Sequence, residues 1–124
     1  MSRNIIISLH CDNTTAVFSE VMEKRGYRVV EQRNASWALK ALEQFGAEVA
    51  LVVIHSIRTE EKVEEYAPRL KAAAPAIPVV VHTGDPRFYV NRDLTLPGVD
   101  RIFPKLDDWK DTFAALEKLM GNPS

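Results

Sequence analysis

AEVALVVIHS, residues 47–56, is the stretch whose reading decides the fold. From Val49 to Ile54 it is an unbroken apolar run. A strand with one wet face alternates apolar and polar residues, whereas a run without polar breaks reads as a central parallel strand covered on both faces. Such a strand needs helices above and below it, and the flanking sequence supplies them. The run leads into Val53, Ile54 and His55 with no carboxylate at its end.

Outward from this run, apolar segments alternate with helix-period segments five times. Asn4–Leu9 reads as a buried strand, with Asp12 or Asn13 capping a helix whose Val17, Phe18, Val21 and Met22 share a face. Gly26 stops that helix, and Arg28–Gln32 is a shorter strand with a polar end, suited to a sheet edge. Asn34 or Ser36 caps a second helix with Ala38, Leu39, Leu42 and Phe45 inward, ended by Gly46. Thr59, Glu60 and Glu61 open a third helix that buries Val63, Tyr66 and Leu70. Pro68 lies inside it and predicts a kink or a restart. Ile77–Val81 is the fourth strand, followed by the turn Thr83-Gly84-Asp85-Pro86 and a short or partly unwound fourth helix before Pro97. Val99–Phe103 is the fifth strand. Asp107 or Asp108 caps the last helix, which turns Phe113, Leu116 and Met120 inward and closes at Gly121.

This alternation with short connections predicts an α/β fold: a single doubly wound five-stranded parallel sheet, helices on both faces, flavodoxin-like order 2-1-3-4-5. One domain is expected over residues 1–124, with a core at about 4–120 and a short tail at 121–124. Ligands in such folds sit beyond the carboxyl ends of the strands. That rule selects Leu9, His10, Cys11 and Asp12 from the first strand end, Val53 and His55 from the third, Thr83 from the fourth and Lys105 from the fifth.

The bulk properties narrow the function classes. An apolar share of 46% with 27% charged residues is ordinary globular composition. A net charge of −1 gives no global field for nucleic acid or an anionic membrane. One cysteine, Cys11, cannot form an internal disulfide, which points to a reducing compartment. No stretch approaches the ~20 apolar residues of a membrane span, and the start lacks the apolar length of a signal peptide. A cytoplasmic location is the expectation.

GYRVV at 26–30, IPVVVHTG at 77–84 and GVDRIFPK at 98–105 make the chain resemble the receiver domains of two-component response regulators, from Asn4 to about Met120. The resemblance places Thr83 on the family's strand-4 Thr/Ser and Lys105 on its strand-5 lysine. It implies an aspartate at the end of strand 3 that accepts a phosphoryl group, and an acidic pair after strand 1 that holds magnesium. Counted back from Thr83 without gaps, the phosphoacceptor falls on Val53. Counted back from Gly26, the acidic pair falls on Leu9 and His10. Valine has no nucleophilic atom, and a hard divalent cation needs oxygen ligands that leucine and imidazole do not offer. Ile102 falls on the family's aromatic switch position.

The combined reading is a stand-alone pseudo-receiver of bacterial two-component type. It is not an enzyme, has no cofactor or resident metal, and works by protein–protein contact with a kinase-like or output protein or with a second copy. Arg87, Phe88, Tyr89, Arg92 and Ile102 are the candidate interface, on the surface of helix 4, strand 5 and helix 5 that receivers use for output. Other readings stay open. Thr83 and Lys105 with the neighbouring histidines could sense an anion or small ligand, and His10, Cys11, His55 and His82 could hold zinc. Cys11 before a helix start invites a phosphocarrier or phosphatase-like reading.

Overall fold

Val49–Ile54 is a strand, β3, and all six of its residues are buried. The computed structural model describes residues 3–9, 15–55, 62–91, 93, 95–104 and 109–121. On one side of β3 runs β1 (Ile5–Leu9) and beyond it the edge strand β2 (Arg28–Gln32); on the other run β4 (Val79–Thr83) and β5 (Arg101–Pro104). All pairings are parallel, in the order β2-β1-β3-β4-β5. The predicted sheet order and class are those observed.

The helices are α1 (Thr15–Lys24), α2 (Ala35–Phe45), α3 (Val63–Ala73), α4 (Arg87–Val90) and α5 (Trp109–Leu119). Two cores result, one on each face of the sheet. Ile5, Ile7, Leu9, Val52, Ile54, Val79 and Val81 pack against Ala38 and Leu42 of α2 and Tyr66 and Leu70 of α3. Ile6, Leu51, Val53 and Val80 pack against Phe18 and Met22 of α1 and Phe113 and Leu116 of α5. Strand side chains alternate between faces, so one continuous apolar run feeds both cores. A register shift between Ile5 and Ile6 moves the β1 pairing from Val49 to Leu51, skipping Ala50. It explains why Val49 and Val52, three apart, lie in the same core.

Several boundaries are set by hydrogen bonds that the sequence does not display. β4 begins at Val79, two residues later than expected. The Ile77 N–H bonds Ala74 O in a turn, and Pro78, with no N–H, contributes only its carbonyl, to Val52 N. β5 likewise begins at Arg101, not Val99, because the Val99 N–H returns to Leu96 O. Asp100 fastens this end of the sheet: its Oδ2 accepts from Val79 N–H at 2.7 Å and from Lys71 Nζ at 2.8 Å. Val17, expected on the inner face of α1, is half exposed, while Phe18 and Met22 are buried against the sheet with Val21 packed beside them.

Asn34 caps α2 as expected, its Oδ1 accepting from Trp37 N–H at 3.0 Å. After α2 the chain makes a 3-10 turn at Gly46–Glu48. α3 runs as one element through Pro68. The bond lost there would reach the carbonyl of Glu64, in the exposed first turn, where water can replace it. The expected caps Asp12, Asn13, Thr59, Asp107 and Asp108 lie outside the described residues. Among the described residues, no helix is long and apolar enough to cross a membrane.

Candidate functional site

Buried polar side chains mark one end of this molecule. Ser8, His55, His82, Thr83 and Asp85 are all buried, and all belong to the carboxyl ends of β1, β3 and β4 or the residues just beyond. Polar groups concentrated at one end of otherwise apolar central strands are the expected signature of a site beyond the strand ends.

Pairing fixes which residues reach that end. Ile54 is in register with Leu9, the last residue of β1, and the next residue, His55, donates its backbone N–H to Leu9 O at 3.0 Å. Val53 lies one position inside, in register with Ser8 and Val80, and packs in the core under α1 and α5. The side chain that follows Val53 on this face, at the strand end, is His55. Its ring stands edge-on to Phe18 at 4.9 Å and to His82 at 5.8 Å. Phe18 in turn lies 6.1 Å from Phe113 of α5. The guanidinium of Arg25 sits 5.5 Å over the Phe113 ring and pairs with Glu117. An aromatic column therefore runs from the ends of β3 and β4, through α1, to α5.

Leu9 and Thr83 belong to the other face. Leu9 is packed in the core under α2 and α3, and Thr83 alternates with His82 and so follows Val81 to that side. Thr83 Oγ1 accepts the Asp85 N–H at 3.0 Å. Asp85 Oδ1 accepts the Arg87 backbone N–H at 2.9 Å, and the two carboxylate oxygens take Arg87 Nε at 3.3 and 3.2 Å and Nη2 at 3.0 Å. The Asp85 bond, and then its charge, hold the Arg87 guanidinium above its ordinary pKa.

The remaining expected site residues divide as follows. His10, Cys11, Asp12, Arg92 and Lys105 lie outside the described residues. Phe88 and Tyr89 lie within α4. Ile102 is half-buried in register with Val81 and packs against the α2–α3 core, so most of it serves the interior. Among the described residues, Val90 is the most exposed large apolar side chain, at 88%. Arg101 on β5 stacks its guanidinium 4.7 Å over Phe103. Among the described residues, no three His, Cys, Asp or Glu side chains are grouped to hold a metal ion. Ser8 and the Asp85–Arg87 pair were not singled out by the sequence reading. A lone serine inside the apolar run IIISL, and an aspartate two residues before an arginine in a turn, are the signals that carried them.

No family model matches the sequence, and no curated protein matches it. Solved structures do. The signal receiver domain of an HD domain-containing protein from Pseudomonas fluorescens Pf-5 aligns with TM-score 0.79 at 19% identity, covering 98% of this chain and 89% of that one. A CheY-like response regulator receiver domain from Methanospirillum hungatei JF-1 aligns with TM-score 0.73 at 16% identity, over 98% and 95% of the two chains. The response regulator TrrA from Thermotoga maritima, in complex with Mg(2+)-BeF, aligns with TM-score 0.73 at 18% identity, over 96% and 99%. With the strand order, the helices on both faces and near-complete coverage in agreement, this chain has the CheY-like fold of response-regulator receiver domains.

Proposed function

We propose that this chain is a pseudo-receiver: one signalling domain, spanning residues 1–124, that takes up no phosphate and acts through protein–protein contact. The observation that carries the reading is the end of β3, where the pairing with Leu9 brings His55 to the strand's end. An aspartyl phosphate needs a carboxylate oxygen as nucleophile, and neither His55 nor Val53, the position reached by ungapped counting, has one. Magnesium needs oxygen ligands, and Leu9 at the end of β1 offers an alkyl chain to a core. Either alignment of the strand end leads to the same chemistry.

Without phosphotransfer the domain has no catalytic role of its own, and its signal leaves through its surface. Val90 on α4, Arg101 on β5 and the exposed Lys110 and Asp111 on α5 form the face we assign to a partner, kinase-like or output protein, or to a second copy. Arginine is enriched among the residues that anchor such contacts, which favours Arg101 as the anchor. The setting we infer is bacterial two-component signalling in the cytoplasm.

Incubation with acetyl phosphate and magnesium, followed by intact-mass measurement, tests the reading. The expected result is an unchanged mass; an acid-labile phosphoryl adduct would overturn it.

A further inference from the structure

A four-residue helix cannot support itself. Among the described residues, α4 closes on two backbone bonds, Val90 N–H to Pro86 O and Asn91 N–H to Arg87 O, while helix nucleation is unfavourable and a segment this short depends on outside contacts. Asp85 supplies them. It is buried although it carries a charge, and its carboxylate takes the backbone N–H of Arg87, the first residue of α4, together with that residue's guanidinium. Its own N–H is anchored on the hydroxyl of Thr83, the last residue of β4. One side chain therefore links the strand end, the turn and the helix.

We propose that Asp85 is a latch that holds the β4–α4 segment, and with it the exposed Val90, in a single arrangement without any modification of the strand-end pocket. The Thr83 hydroxyl already serves as acceptor inside the latch, so the strand end and α4 move together or not at all. Arg87 contributes in two separable ways: its backbone N–H caps the turn, and its exposed guanidinium closes the carboxylate from the solvent side. The use of the latch, fixing a protein-binding face in one state, rests on the pseudo-receiver reading. The latch itself is measured without that reading.

The test is backbone 15N relaxation dispersion and amide hydrogen exchange on the full chain, for the wild type and for Asp85→Ala, Arg87→Ala and Thr83→Val. The expected wild-type profile is flat dispersion over residues 84–91. Asp85→Ala is expected to gain microsecond-to-millisecond exchange there, with the Arg87, Val90 and Asn91 amides exchanging about tenfold faster or more, the effect of losing charge-assisted bonds at a local opening. Arg87→Ala keeps the backbone cap and a solvent-facing site, so it folds and gives an intermediate effect. Thr83→Val speeds the Asp85 amide. Exchange throughout 84–91 in the wild type would overturn the latch, as would unchanged protection in both Asp85→Ala and Arg87→Ala. Acetyl phosphate labelling reports on the pseudo-receiver reading separately, so either idea can fail alone.

Discussion

Val53 and His55 lie two residues apart on the same face of β3 and differ in what surrounds them. Val53 is enclosed by Ile6, Leu51, Val80 and the inward residues of α1 and α5. A carboxylate placed there loses its water with no cation beside it among the described residues of that core, so Val53→Asp is expected to cost about 3–5 kcal/mol. His55 is already a polar side chain at the strand end, next to His82, and His55→Asp is expected to cost about 1–2 kcal/mol. Urea denaturation of the two variants checks this, and equal losses would show that the strand end is not where the pairing puts it. The same comparison bears on the proposed loss of a phosphoacceptor. Counting without gaps assumes that α3 and its loops have the family's length, whereas pairing with β1 measures the strand end directly.

Among the elements, α3 and the chain entering β5 meet closely at Gly98. Gly98 has φ +76, and a Cβ built there would stand 2.5 Å from Pro68 N and 2.7 Å from Ala67 O. The interior proline of α3 and this glycine are therefore complementary: a residue without an N–H meets one without a side chain. Gly98→Ala adds both left-handed backbone strain and a clash with main chain that cannot swing away, so a loss of about 2–4 kcal/mol is expected. A shift in the urea midpoint at unchanged slope would be the signature; a neutral result would mean that α3 can retreat from the sheet. Pro68 and Gly98 are each visible in the sequence as helix and turn breakers. Their contact is not, because thirty residues separate them and only the β4–β5 crossover brings them together.

For the whole molecule, stability is expected to be graded across the sheet. β1, β3 and β4 are buried along their full length, while β2 mixes exposed and half-buried residues at one edge. Native-state hydrogen exchange should find the slowest amides in β1 and β3 and faster ones on the outer side of β2. Slowest exchange in β2 or α4 would contradict the assignment of the core. The sequence by itself determined the five-fold alternation, the central place of Val49–Ile54, the sheet order and the absence of a carboxylate at the end of β3. The alternation and the residue types are displayed by a linear chain, and the sheet order was anticipated from them through the connection rules of doubly wound sheets. Only the tertiary structure decided that the strand ends at Ile54 with His55 just beyond it, that Ala50 is skipped in the β1 pairing, that Val17 faces outward and that Thr83 is engaged by Asp85. Each depends on hydrogen bonds or packing between segments distant in sequence or turned by a few degrees of backbone, and no residue pattern records which partner a given N–H or hydroxyl takes.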